Sequence, residues 1–188
     1  MYFEQLFEKY MEWKLLRHLL KSPEKQHYTK ELTRKTKIGA GTINTFLKNL
    51  HSDKLLKKEI IGNVHLYKLD NELPIIKQLK ILNTLLEFKQ NNLIEQLLKI
   101  DFTITSIVLY GSHANGEYDT KSDIDLLIIS HKKQNIQTKI QNLEKEINKT
   151  ISILTLTIPQ YNKLKKNDKI FYNTLITNHI CLYGSELT

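Results

Sequence analysis

Two carboxylates, Asp123 and Asp125, stand one residue apart at the entrance to a hydrophobic run that continues to Ile129. In a strand, side chains two positions apart share a face, so this pair converges about 7 Å apart along the backbone. Hard oxygen donors at that spacing suit one or two divalent cations. Ten residues separate Asp123 from Gly111-Ser112, which closes an earlier hydrophobic run, Thr103 to Tyr110. Gly111 lets the backbone N–H groups approach a phosphate, and the Ser112 hydroxyl can donate to a phosphate oxygen. The stretch reads as a strand, a phosphate-sized turn and a second strand that begins with two carboxylates. That chemistry fits a nucleoside triphosphate with its metal ion.

The elements around this stretch follow from periodicity. Strands are predicted at Thr103–Tyr110, Ile124–Ile129, Ile151–Thr157 and Ile180–Gly184. Between them, Gln134–Lys149 reads as a helix with Ile136, Ile140, Leu143 and Ile147 buried, and its Glu144, Lys145, Glu146 and Lys149 as a solvated face. Gln160–Asn178 reads as another helix, broken near Asn167-Asp168. The expected fold class is α+β, or mixed α/β, with a small mixed sheet flanked by helices. Leu-Tyr-Gly-Ser occurs at 109–112 and again at 182–185, but no carboxylates follow the second copy, so it is not read as a repeat of the site.

Upstream, residues 2–21 show helical spacing at Leu6, Tyr10, Trp13, Leu16, Leu19 and Leu20. A short helix, Tyr28–Thr36, has Thr29 as its N-cap, and a third runs from Thr42 to Ser52 with Ile43, Phe46, Leu47 and Leu50 on one face. Its other face carries Thr42, Asn44, Thr45, Lys48 and Asn49, groups able to hydrogen-bond bases and phosphates. Leu55–Ile61 and Val64–Leu69 flank Gly62-Asn63 and predict a hairpin. From Ile75 to Leu98 the pattern is helical, with a break at Gln90-Asn91-Asn92. The expected domains are 1–73, a helical connector 74–100, and 101–188.

Composition narrows the classes. With 40% hydrophobic residues in 188, the chain can build a core, so global disorder is excluded. No apolar run reaches the roughly 18 residues of a membrane span. Met1-Tyr2-Phe3-Glu4-Gln5 lacks the basic and apolar regions of a signal peptide, so none is expected. The one cysteine, Cys181, lies in an apolar run, reads as a packed thiol and fits a cytoplasmic location. The formal charge is +8, and residues 1–73 hold 14 Lys and Arg against 9 Asp and Glu, so the more basic part is compatible with a polyanionic partner.

Residues 5–70, three helices and a hairpin, resemble a winged helix-turn-helix domain. The resemblance implies that the helix from Thr42 reads double-stranded DNA and that Lys57, Lys58, Asn63 and His65 edge the wing. The competing reading is a protein or dimer contact, with a homodimer by analogy. Gly111-Ser112, ten residues, then Asp123-Ile124-Asp125 resembles the signature of the DNA polymerase beta-like nucleotidyltransferase superfamily. Ala114, Gly116 and Ser122 also fall where its minimal members place them. Carried over residue by residue, Gly111 and Ser112 would contact the β- and γ-phosphates, and Asp123 and Asp125 would bind the nucleotide through Mg²⁺ or Mn²⁺ and be the catalytic carboxylates. The substrate would be a nucleoside triphosphate such as ATP, and a nucleoside monophosphate would pass to a hydroxyl of a protein or small molecule, as in antitoxins that modify a toxin.

One departure matters. Active members of that superfamily carry a third carboxylate on the strand after the intervening helix. Here that strand is Thr150-Ile151-Ser152-Ile153-Leu154-Thr155, and the aligned position is Ser152, or Leu154 or Thr155 if the register slips. Asp119 and Glu117 in the loop read as turn residues rather than substitutes, His113 as the variable residue of the motif rather than a phosphate contact, and Lys121 as a basic loop residue near the phosphates. Two readings therefore stand: a transferase, and a DNA-binding regulator whose nucleotidyltransferase fold is weak or inactive.

Overall fold

The computed structural model describes residues 10–132 and 136–187. It divides into two compact units, one ending at Asn83 and the other beginning at Thr84.

The first unit contains helices α1 (Met11–Leu20), α2 (Thr29–Thr36) and α3 (Ala40–Ser52), followed by strands β1 (Leu56–Ile61) and β2 (Val64–Leu69). The strands pair antiparallel around Gly62-Asn63, Ile61 opposite Val64 and Leu56 opposite Leu69. Its core joins Leu15, Leu19, Leu20, Leu32, Ile43, Phe46, Leu47, Leu56, Tyr67, Leu69 and Ile76. His27 extends β2 by one antiparallel bridge to Tyr67. The expected first helix began at residue 2; Leu6 lies outside the described residues. Tyr10, expected on the buried face, is exposed, and Leu15 takes a core place instead.

The division between units falls within α4 (Pro74–Gln90), and α5 (Leu93–Ile100) follows. Asn92 adopts a left-handed conformation between them, at the predicted break. The second unit then builds a four-stranded sheet from β3 (Ile104–Tyr110), β4 (Ile124–Ser130), β5 (Ile151–Thr157) and β6 (Ile180–Gly184), with the short helix α6 (Ser112–Asn115) after β3. The strand order is β5-β4-β3-β6. The β3–β4 and β3–β6 pairs are antiparallel, and β4–β5 is parallel, so the sheet is mixed. The two central strands, β3 and β4, bury both faces. Ile107, Leu109, Leu126, Ile128 and Ile151 pack with Phe88, Leu93 and Leu97 and with Leu143 and Ile147 of α7 (Gln141–Ile147). Val108, Leu127 and Ile129 pack on the opposite face with Tyr161 of α8 (Ile158–Asn167) and Leu175 of α9 (Lys169–Thr177). Helices on both faces of a small mixed sheet match the expected fold class. Asp168 separates α8 from α9 and accepts the Phe171 N–H at 3.0 Å, which is why the predicted long helix is broken there.

The helix predicted over Gln134–Lys149 is shorter. Within the described residues it is a 3₁₀ turn, Gln137–Lys139, and then α7. The reason lies in the neighbouring edge strand. Gln137 donates to the Ile151 carbonyl at 2.7 Å and accepts from the Ile153 N–H at 3.0 Å, while Glu144 accepts from the Ile151 N–H at 2.9 Å. These side chains satisfy the open edge of β5, and the turn that delivers Gln137 is not part of α7.

Candidate nucleotide and metal site

Gly111 leaves β3 with φ +70°, a conformation in which side chains with a Cβ are strained. A Cβ built there would overlap the Asp125 carboxylate. The turn and the second carboxylate strand are thus in van der Waals contact, and glycine is needed both for the backbone angle and for the space. Ser112 opens α6, whose first N–H groups have no partner inside the helix by construction, so the Ser112 N–H and hydroxyl sit together at its start.

Asp123 is exposed just before β4, and Asp125 is partly buried within it. Burial, and next the charge of Asp123, push the Asp125 carboxyl above its ordinary range. Burial, followed by the same Asp125 charge, also raises the Tyr110 phenol. A carboxylate whose ionisation is opposed by burial and by a neighbouring carboxylate forms with that neighbour a donor set that a hard cation relieves. One ion fits them. Among the described residues, no cluster of three or more His, Cys, Asp or Glu side chains is placed to hold a metal.

The register of the sheet explains why. Asp125 has Tyr110 as its partner on β3 and Ser152 as its partner on β5. Register partners in a sheet share a face, so Tyr110, Asp125 and Ser152 form one row across three strands. The row's third place is a hydroxyl, and Ser152 is exposed. Leu154 lies one pleat farther on, opposite Leu127, and packs in the apolar cluster, while Thr155 pairs with Ile128.

The loop between the two halves of the site is internally braced. The Ser122 hydroxyl donates to Asp119 Oδ1 at 2.8 Å, and the Lys121 N–H donates to the same oxygen at 2.9 Å. The Ser122 bond, then the Lys121 N–H, hold the Asp119 carboxyl below its usual range, and Asp119 is a turn residue. Glu117 bonds locally with Asn115, and Lys121 is exposed. His113, read as the variable residue of the motif, is buried: its ring stacks on Tyr118 at 4.1 Å, and Nδ1 meets the Thr84 hydroxyl at 2.9 Å. Lys149, expected on a solvated face, has Nζ 5.6 Å from the Tyr118 ring and donates to the Asp119 and Ser122 carbonyls, each at 3.2 Å. Sequence reasoning missed this lysine and Glu144; their i,i+5 spacing carried no signal, because both bond backbone outside α7. The second Leu-Tyr-Gly-Ser is structural: Gly184 (φ +79°) packs on the Thr105 backbone, and Ser185 accepts from the Ser106 hydroxyl at 2.7 Å. Cys181, half-buried, has its thiol raised first by burial.

In the first unit, Asn44, Thr45 and Lys48 are exposed on α3, and Thr42 is partly so. A cleft of about 370 Å³ collects Asn44 with Tyr28, Thr29 and Lys30 at the start of α2 and with Asn63, Val64 and His65 of the hairpin. Thr42, Thr45, Lys48, Lys57 and Lys58 do not line it. Lys57 is paired with Asp70 at 2.8 Å, and Lys58 lies 5.9 Å from the Tyr67 ring centre.

The family model for the nucleotidyltransferase domain covers Gln90 to Ile176, which takes in the Gly-Ser turn and both carboxylates. No curated protein matches the chain. Among solved structures, similar ones include a toxin–antitoxin with AMP-PNP, at 21% identity and TM-score 0.39 over 51% of this chain and 74% of that one. A mutant of the toxin–antitoxin MntA-HpeT is 19% identical with TM-score 0.39 over the same 51% and 74%. A protein of Sulfolobus solfataricus described as a nucleotidyltransferase is 16% identical with TM-score 0.35 over 59% and 86%. Among the described residues, no helix is long and apolar enough to cross a membrane.

Proposed function

We propose that the second unit binds a nucleoside triphosphate, ATP in the first instance, with a single Mg²⁺ or Mn²⁺, and transfers its nucleoside monophosphate to a hydroxyl of a protein or small molecule. The observation that supports this reading is the close approach of Gly111 to the Asp125 carboxylate, which sets the turn that would take the phosphates beside the strand that would take the ion. Asp123 and Asp125 would hold the ion, whose chemistry is to neutralise charge on the phosphates and the leaving pyrophosphate. The Ser112 hydroxyl and N–H would orient the terminal phosphates. The acceptor oxygen would attack the α-phosphorus as the bond to the bridging oxygen breaks. No carboxylate of this chain stands at Ser152 to take the acceptor's proton, so turnover is expected to be slow or to need an acceptor that is acidic or brings its own base.

Ser152 also favours a second reading, in which the domain binds nucleotide without turnover and informs a DNA-binding unit. The first unit is then a winged helix-turn-helix domain that contacts double-stranded DNA. The exposed face of α3 (Asn44, Thr45, Lys48) and the cleft containing Lys30 and His65 support this, with the paired Lys57 contributing little. The common element is tested by titrating ATP into the chain with and without Mg²⁺, wild type beside Asp123→Ala/Asp125→Ala. Mg²⁺-dependent binding that the double variant loses is expected. Equal binding by both proteins would remove the cradle from the account.

A further inference from the structure

We infer that the nucleoside of the bound triphosphate stacks on an aromatic wall formed by Tyr110 and Phe171, which makes these two side chains the nucleobase subsite of this chain. The inference rests on the nucleotide reading above and extends it to where the base goes.

Tyr110 is the last residue of β3, directly before Gly111-Ser112, and is the register partner of Asp125. Both side chains therefore stand on the sheet face that α8 and α9 cover. Farther along that face the strands are sealed by Val108, Leu127, Leu175 and Tyr161. At the row of Tyr110, Asp125 and Ser152 the cover ends, and Phe171 of α9 meets the Tyr110 ring edge-to-face with centres 6.1 Å apart. Neither ring is fully buried: both belong to the partly buried side chains packed against the cluster. The outcome is an apolar π-surface bordering a pair of carboxylates.

The two flanks of Asp125 differ in chemistry. On the β5 flank stands Ser152, small, polar and exposed, which leaves room for an incoming acceptor. On the β3 flank stand the two aromatic rings, and Tyr110 directly precedes in sequence the residues that would hold the phosphates. A ligand gripped by its phosphates at Ser112 and by its cation at Asp125 has an unsatisfied planar group to place, and of the two flanks it is the β3 one that offers, among the described residues, a planar partner. Stacking of this type tolerates any base, since every base has a π-face. The subsite therefore selects a nucleotide over bare polyphosphate and discriminates weakly among bases.

The test compares equilibrium binding of ATP, GTP and inorganic tripolyphosphate to the full chain in Mg²⁺, for wild type, Phe171→Leu, Tyr110→Leu and Tyr110→Phe. Stacking worth about 1–3 kcal/mol per base corresponds to roughly 5- to 150-fold. The expected result is that wild type prefers ATP and GTP to tripolyphosphate by about 10-fold or more, with the two nucleotides within a few-fold of each other. Phe171→Leu and Tyr110→Leu should lower nucleotide affinity to the tripolyphosphate level and leave tripolyphosphate unchanged, while Tyr110→Phe behaves as wild type. Unchanged ATP affinity in both leucine variants overturns the inference. An equal loss for nucleotide and tripolyphosphate also overturns it, because the wall would then shape the phosphate cradle and not the base site. If wild type binds none of the three ligands, it is the nucleotide reading itself that fails. Strong tripolyphosphate binding without any preference for nucleotide leaves that reading standing and removes only the subsite.

Discussion

Ser152→Asp places a third carboxylate in the row beside Asp125. The two positions are partners in the parallel β4–β5 register, so the new charge stands about one strand spacing, ~5 Å, from Asp125. Two unit charges at that distance repel by about 3 kcal/mol at an effective dielectric of 20 and by about 1 kcal/mol in bulk water. Ser152 is exposed and Asp125 only partly buried, which puts the cost near the lower end, about 1–1.5 kcal/mol. In a unit of this size that is a fall in Tm of roughly 4–6 °C without divalent cation. Mg²⁺ should reverse the order: the variant has three carboxylates to satisfy, so millimolar Mg²⁺ should raise its Tm by more than it raises that of wild type. Differential scanning fluorimetry across a Mg²⁺ series reads both effects, and a pyrophosphate-release assay reads whether transfer rises with the completed site. Equal melting of the two proteins without cation, or an identical Mg²⁺ response, would show that position 152 does not face Asp125 and that a carboxylate there would not complete a cation site.

Gly111→Ala should both strain the backbone at φ +70° and drive a Cβ into the Asp125 carboxylate, lowering stability by about 1–2 kcal/mol and abolishing Mg²⁺-dependent ATP binding, as thermal melts and titrations will read. In the first unit, burial lowers His27 to about 4 from an ordinary 6.5, so the unfolded chain takes up this proton first as pH falls. Stability should therefore drop between pH 6.5 and 4 by up to about 3 kcal/mol, and His27→Phe should flatten that segment of a denaturation–pH profile. Glu31 adds to the acid side. Burial opposes its ionisation, but bonds from Lys25 and Lys35 outweigh this and hold it at about 2, so its contribution is present above pH 4.5 and lost below. For duplex DNA, Lys48→Ala and Lys30→Ala should each weaken binding and reduce the salt slope by about 0.9, whereas Lys57→Ala should change little, since Asp70 already holds that charge. Absence of any salt-dependent binding by wild type would remove the DNA claim.

Much of the site was legible because its signals are local. A Gly-Ser turn after one hydrophobic run and alternating aspartates opening another are readable from spacing alone, and the strands and the break at Asp168 followed from the same periodicity. Ser152 was also found by counting, and the parallel register puts it next to Asp125. What was not legible depends on distant partners. Whether His113 faces a phosphate or a core is decided by Tyr118 and by Thr84, 29 residues away. Lys149 and Glu144 look like surface charges on a helix until the site loop and the edge of β5 present backbone groups to them. The helix predicted from residue 134 was over-extended because the buried Ile136 and Ile140 keep helical spacing with Leu143 and Ile147, while Gln137 is committed to the strand edge. Tyr10 is outside the core because α1 begins only at Met11, and Leu15 and Leu19 form the face that is buried.

The central claim is that the Gly111-Ser112 turn and the Asp123, Asp125 pair form one working cradle for a triphosphate and its cation. The most direct measurement incubates the full chain with Mg²⁺ and each α-labelled nucleoside triphosphate, supplies candidate protein and small-molecule acceptors, and follows pyrophosphate release together with label transfer. The account predicts slow, Mg²⁺-dependent transfer that disappears in Asp123→Ala/Asp125→Ala and persists in a surface control such as Lys166→Ala. Transfer that survives loss of both carboxylates, or a wild-type chain that neither binds nor turns over any triphosphate, would contradict it.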